Sequence, residues 1–283
     1  MADMRDLDPA ACARAELLDL GAGTGRLLEN EARRLGVGNP FGVDINRSKV
    51  AQAQAAGRPV YEADFTTLDP QAFPSVKVVV FDNVLEHLPS LEAVETAFQR
   101  ACAIASHVVY IRHPSFEAVD YLAGLGLKQY WTDWPGVHTA PVRIPEFVAI
   151  AARNGVYDFA VRPLKRAFRS DDPTILPASA PPNQTKRKGR SERYGLYEES
   201  LHGPKPLVEF DRPVYFAFDV FFFLRSDAPE VRYRRDTENV VTRPFLSWSG
   251  RRGSPVVELP RRAAGVMKRR LQRYGSSGGT AED

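Results

Sequence analysis

Two kinds of apolar pattern alternate along roughly the first 165 residues. Short, dense apolar runs trade places with longer segments whose apolar positions recur every three or four residues. "ELLDL", "PFGVDI", "PVYEADF", "VKVVVFDNV" and "SHVVYIRHP" read as five strands, and the fourth is rich enough in valine to be buried on both faces. Between them, "GRLLENEARRLG" reads as a helix stopped by Gly36. "RSKVAQAQAAG" reads as a helix capped by Asn46 and stopped by Gly57. "LEAVETAFQRACA" opens at Ser90 and carries Leu91, Val94, Phe98 and Ala101 on one stripe. Strands alternating with helices in this way predict an open, mostly parallel α/β sheet with helices on both faces.

The rhythm then changes. "SFEAVDYLAGLGL" is expected to be helical, and "KQYWTDWPGVHTAP" reads as an irregular aromatic loop. Pro145 can start the helix "PEFVAIAARNG", which Gly155 ends. "VYDFAVRPL" is a sixth strand and "RPVYFAFDVFFFLRS" a seventh. The chain therefore divides into a core over 1–167, a polar, proline-rich insert over 168–206, the last core strand within 207–227, and a basic extension over 228–283. The composition of the insert predicts that it buries little and acts as a loop or lid. No internal repeat is visible.

Composition adds less. Apolar residues make up 43% of the chain and charged residues 26%, as in ordinary globular proteins. Cys12 and Cys102 have no paired spacing, which argues against a disulfide framework or a zinc site built on cysteine. No apolar run reaches the ~18–20 residues of a membrane span, because Asp219 interrupts "VYFAFDVFFFL". The acidic, weakly apolar N-terminus does not resemble a signal peptide, so a cytoplasmic location is expected. The net charge of +3 is unevenly spread: residues 228–283 hold 12 Lys and Arg against 6 Asp and Glu. A basic helix is expected at "PRRAAGVMKRRLQRYG", a pattern that permits peripheral membrane contact. The acidic balance of the body argues against a nucleic-acid partner.

The candidate chemistry begins at "LLDLGAGTGRLL". A strand that ends in three alternating glycines and feeds a helix brings main chain close to whatever lies above the sheet edge. There is no lysine of a phosphate-binding P-loop, and Arg26 stands where a dinucleotide fingerprint would place its third glycine. The segment resembles the first motif of class I S-adenosylmethionine (SAM)-dependent methyltransferases, an acid followed by G-x-G-x-G. The resemblance runs through "GVDI", "EADF" and "DNVLEHLP", in order and at βα spacing. It implies a doubly wound seven-stranded sheet of order 3-2-1-4-5-7-6 with the last strand antiparallel, SAM as cofactor, and transfer of a methyl group to a small-molecule or glycan acceptor. It also implies that Asp19, Gly21, Ala22, Gly23 and Gly25 hold the methionine end, Asp44 and Ile45 the ribose side, and Asp64 and Phe65 the adenine, with Asn83 facing the cofactor. Only about 15 residues precede the first strand, fewer than in many members of the family.

An oxygen acceptor calls for a base, and histidine is the usual supplier. His113 follows the fifth strand and His138 follows the aromatic loop, so these two are the candidate bases. His87, within "LEHLP", is expected to stabilise its turn, and His107 and His202 to be structural. Tyr130, Trp131 and Trp134 offer flat faces with polar handles and are candidates for lining the substrate pocket. Asp82 and Asn83 lack the further acids of a catechol-type metal site, so no metal is expected. Two other readings remain open at this point: a SAM-fold binding or scaffold protein without turnover, and an RNA methyltransferase. "DNVL" is not the N-P-P-[YF] motif expected for methylation of amino groups.

Overall fold

The computed structural model describes residues 7–134, 136–182 and 197–225, and the backbone of 233–234 and 240–241. A short helix α1 (Pro9–Arg14), capped by the Asp8 carboxylate, leads into β1 (Leu17–Leu20). There follow α2 (Leu28–Leu35), β2 (Pro40–Asp44), α3 (Arg47–Ala55), β3 (Val60–Glu62), β4 (Val78–Asp82), α4 (Leu91–Ile104) and β5 (Val108–Pro114). The predicted stops and caps are in place. Gly36 closes α2 in the left-handed region, Asn46 accepts from the Lys49 amide at the start of α3, and Ser90 accepts from the Ala93 amide at the start of α4. The second half comprises α5 (Val119–Gly124), β6 (Leu127–Gln129), α6 (Ile144–Arg153), β7 (Asp158–Arg169), β8 (Ile175–Pro177), α7 (Glu199–His202) and β9 (Glu209–Phe223). Tyr233–Arg234 (β10) and Val240–Val241 (β11) form a two-stranded antiparallel ladder.

The main sheet has the order β3-β2-β1-β4-β5-β9-β7, with the first five strands parallel and β9 antiparallel to both neighbours. This is the expected seven-stranded arrangement, the sixth and seventh strands of the sequence being β7 and β9. The two-residue side-chain period of the strands explains why both faces are apolar. Leu18, Leu20, Val79, Phe81, Val109 and Ile111 pack into one core with α4 and α6. Leu17, Val78, Val80, Val108 and Tyr110 pack into the other with α2 and α3.

The insert departs from expectation. Ile175, Leu176 and Ala180 are buried, and β8 pairs antiparallel with β6, so the prediction that 168–206 buries little is corrected for this part. Ile175 joins a third cluster with Leu122, Leu127, Ala167, Phe210 and Val214. Ser170 pins the insert to the strand pair: its amide donates to the Val208 carbonyl and its hydroxyl to the Pro206 carbonyl. The basic run "KRKGR" and the expected C-terminal basic helix lie outside the described residues. Among the described residues, no helix is long and apolar enough to cross a membrane.

Candidate active site

The glycine loop sits at the carboxyl end of β1, tied back by the Gly21 and Ala22 amides, which both donate to the Val43 carbonyl. Gly21 and Gly25 have φ of +87° and +66°, which L side chains rarely adopt. Their bareness also serves packing. A Cβ on Gly21 would lie 2.4 Å from Val84 Cγ2, and one on Gly25 would lie 2.6 Å from Val60 Cγ2. The loop is thus pressed onto valines of neighbouring elements on one side, while Gly21 also lines the cavity beside it. Asp44 fixes the loop from the next strand, its carboxylate accepting from the Gly23 amide at 2.7 Å and the Asn46 amide at 2.8 Å. A carboxylate has about four acceptor sites, so Asp44 keeps capacity for further donors. Ile45 beside it is 70% exposed, an apolar surface at the sheet edge.

Beside the loop lies a cavity of about 430 Å³ lined by Asp19, Gly21, Ala22, Thr24, Arg26, Leu27 and Asp82. Asp19 is buried and its Oδ1 has no hydrogen-bond partner. Burial, with the nearby carboxylates of Asp82, Glu31 and Asp44, pushes its pKa well above the usual range. Asp82 and Glu31 are also raised, chiefly by burial. A row of alternating charge leads away from this pocket across four adjacent strands. Asp82, Arg112, Asp219 and Arg162 stand opposite one another in register. Asp219 is fully buried and accepts from Arg112 Nε at 2.9 Å, from the Tyr110 hydroxyl at 2.9 Å and from Arg162.

Of the other expected cofactor contacts, Asp64 accepts from the amide and hydroxyl of Thr66 and caps a 3₁₀ turn. Phe65 is 7% exposed and meets Phe81 edge-on, so the expectation that its ring packs on a ligand is corrected: the ring belongs to the core. Asn83 is exposed, has a left-handed φ of +52°, and donates from its side chain to Asp82.

On the far side of Val84 lies a cluster that the sequence only half revealed. Glu86 is 1% exposed, and its Oε2 has no hydrogen-bond partner. Burial, with a further push from Asp82, raises it to about 8. His113 is also 1% exposed, enclosed by Phe116 and Phe147, and burial lowers it to about 3. The expectation that His113 faces an acceptor is therefore corrected: its ring lies inside the protein. His138 is half-buried, and burial lowers it to about 4, with His87 adding to the shift. His87 bridges two loops, its Nδ1 lying 2.8 Å from the Val137 carbonyl. Trp131, expected in the substrate pocket, is 3% exposed and donates from its indole N–H to the Ser115 carbonyl at 2.9 Å. It packs on Phe216 and is corrected to a structural plug. Tyr130 and Trp134 are half-buried and lie 5.8 Å apart between ring centres, and Trp134 lies 4.8 Å from His138.

Comparison with known proteins agrees with this geometry. Residues 17–106, which run from β1 to the end of α4 and carry the glycine loop, Asp44, Asp64 and Asp82, match a family model described as a methyltransferase domain. The match takes in residues 17–106 of the 283 in the chain. No curated protein sequence matches the chain. Similar solved structures include a SAM-dependent methyltransferase from Archaeoglobus fulgidus, at 17% identity over 76% of this chain and 88% of that one, with a TM-score of 0.48. Magnesium protoporphyrin IX methyltransferase from Synechocystis PCC 6803 with bound SAH is 14% identical, covering 75% of each chain with a TM-score of 0.42. A possible histamine N-methyltransferase from Thermotoga maritima is 15% identical over 74% of this chain and 82% of that one, with a TM-score of 0.44.

The residues around the glycine loop fit SAM. SAM carries a positive sulfonium and an ammonium, and the cavity beside the glycine loop is lined by the carboxylates of Asp19 and Asp82, each with an oxygen that lacks a hydrogen-bond partner. A cation there offsets the burial and the neighbouring negative charges that raise the Asp19 pKa. The ribose side has Asp44 and the exposed Ile45. Glu86, Thr24 and Leu27 escaped the sequence reading. The available signal for Glu86 was an acid set inside the apolar run "VLEHL".

Proposed function

We propose that the enzyme methylates an oxygen of a small-molecule acceptor, with a sugar or glycoconjugate hydroxyl as the preferred class. The carrying observation is the half-open aromatic wall of Tyr130 and Trp134, which meets His138 beside Glu86 and His87. Flat rings with polar edges suit the apolar faces of a sugar. SAM supplies, when bound, a methyl carbon on a sulfonium that an acceptor oxygen displaces in line, leaving S-adenosylhomocysteine.

The chain's own residues supply position. Asp19 and Asp82 hold the cationic end, Asp44 fixes both the loop and the ribose side, and the aromatic wall orients the acceptor. In place of the buried His113, His138 is the histidine open to an acceptor hydroxyl. Its Nδ1 donates to the Trp131 carbonyl, so its Nε2 keeps a lone pair with which to receive that hydroxyl's proton.

The test is calorimetry with SAM, followed by measurement of S-adenosylhomocysteine release in the presence of hydroxyl-bearing acceptors. Binding with acceptor-dependent release is the expected result. Failure to bind SAM would remove the reading, and binding without release from any acceptor would favour a scaffold role.

A further inference from the structure

We propose that Glu86, His87 and His138 hold a divalent transition-metal cation. This inference deepens the reading above: it rests on that reading for the cation's role in transfer, but not for the binding itself.

One candidate ligand atom from each of Glu86, His87 and His138 lies within 4.8 Å of the other two. His87 Nε2 is 3.9 Å from Glu86 Oε1, and His113 Nε2 is 3.9 Å from Glu86 Oε2. These separations are too long for hydrogen bonds. Two ligands each ~2.0–2.2 Å from a shared ion stand about 3–4 Å apart, which is the spacing seen between His87 and Glu86.

The histidines are also oriented as ligands are. Nδ1 of His87 lies 2.8 Å from the Val137 carbonyl oxygen, Nδ1 of His138 is 2.8 Å from that of Trp131, and Nδ1 of His113 is 2.8 Å from that of Pro114. A carbonyl can only accept, so each Nδ1 carries the proton and each Nε2 keeps its lone pair. Fixing the tautomer through the other ring nitrogen is how proteins prepare imidazole to bind metals.

The independent observation is the pair of orphaned buried atoms. Glu86 Oε2 and His113 Nε2 both lack hydrogen-bond partners, in side chains 1% exposed. Buried polar groups without partners are rare and call for a missing one. The scaffold is built around them. The Ala140 amide donates to the Glu86 carbonyl and the Thr139 hydroxyl to the Leu88 carbonyl, which fastens the His138 loop to the Glu86 turn.

Two imidazoles and one carboxylate suit a first-row transition ion better than magnesium or calcium, and three protein ligands leave positions open. An acceptor hydroxyl entering one of them would have its pKa lowered and would release its proton to water. The cation, rather than the bare His138 ring, would then face the acceptor.

The test uses the full chain, stripped with chelator and titrated with Co²⁺ by visible absorption and metal counting. One cobalt per chain is expected, with ligand-field bands and no thiolate charge-transfer band. H87N, H138N and E86Q should each weaken binding by roughly tenfold to a hundredfold, and H113N should weaken it less. The proposal is overturned if the wild type takes up no cobalt at millimolar concentration, or if H87N and H138N bind as the wild type does. Should the variants fail to fold, the wild-type melting temperature decides. It should rise with cobalt and fall back with chelator, and no rise overturns the proposal. SAM titration of the metal-free chain is read separately. Cobalt uptake without SAM binding keeps this site and removes the methyltransferase reading; SAM binding without cobalt uptake does the reverse.

Discussion

Arg112 stands directly across from Asp219 on neighbouring antiparallel strands, its Nε 2.9 Å from Oδ1. Asp219 is wholly buried; burial alone would raise its pKa, but Arg112 and Arg162 outweigh that and hold it below the usual carboxylate range. A lowered carboxylate contributes stability that is present above its unfolded pKa and lost as pH falls through the folded one. Replacing Asp219 with alanine leaves two arginines and the Tyr110 hydroxyl without their shared acceptor. The expected loss is about 3–5 kcal/mol, measured by urea denaturation at pH 7, and D219A should lose less stability than wild type on acidification.

Gly21→Ala should destabilise the protein by about 1–3 kcal/mol. The new Cβ would meet Val84 Cγ2 at 2.4 Å, on a residue whose φ is +87°. Val84→Ala removes the 2.4 Å contact but leaves the Cβ of residue 84 at 3.0 Å and the backbone strain, so the double variant should recover part of the loss. Full recovery would show that φ at residue 21 is indifferent to a side chain.

Cofactor binding should strengthen as pH rises. Asp19 has a raised pKa, so it holds its proton above the ordinary carboxylate range when the pocket is empty. A raised carboxylate is at no disadvantage below its unfolded pKa and costs stability as pH climbs through the folded one. A cationic ligand favours the ionised form, so binding expels protons. Calorimetry of SAM in two buffers of different ionisation enthalpy should show proton release in the wild type and less in D19N, and D19N should lose less stability than the wild type as pH rises above the ordinary carboxylate range.

Asp44→Ala should weaken SAM binding by about tenfold to a hundredfold, equivalent to ~1–3 kcal/mol. It removes both a ribose-side acceptor and the carboxylate that holds the Gly23 amide. Unchanged affinity in D44A would disprove the placement of the ribose.

Trp131 and Trp134 should separate cleanly. Trp131→Ala empties a buried site and should cost about 3–5 kcal/mol of stability, whereas Trp134→Ala should leave stability within about 1 kcal/mol of wild type and raise the KM for the acceptor. Urea titration and acceptor kinetics on the same two variants check both halves.

The sheet and the glycine loop were legible because their pattern is local. The strands are short apolar runs, and each stop or cap lies within a few positions of the helix it closes, as with Gly36 and Asn46. What escaped depends on contacts between distant segments. Asp219 reads in the sequence as an interruption of an apolar run; its purpose appears only when β9 aligns it with Arg112 and Arg162. Trp131 and His113 carry side chains suited to chemistry, but whether such a side chain faces a cleft or the interior depends on packing by Phe216 and Phe147 from far along the chain. The buried part of the insert escaped for the opposite reason. Four apolar residues inside a polar, proline-rich stretch are too few to signal burial until β6 offers them a partner.

β9 lies between β5 and β7, although the chain reaches it after both. Until residues 209–223 leave the ribosome, β5 presents a row of unmatched amides and carbonyls on an apolar ribbon, and β7 has nothing to lie against. Such an edge invites pairing with another nascent chain. β9, the last strand of the main sheet in chain order, thus works as a keystone, and any truncation upstream of it should yield a sticky fragment rather than a smaller folded domain.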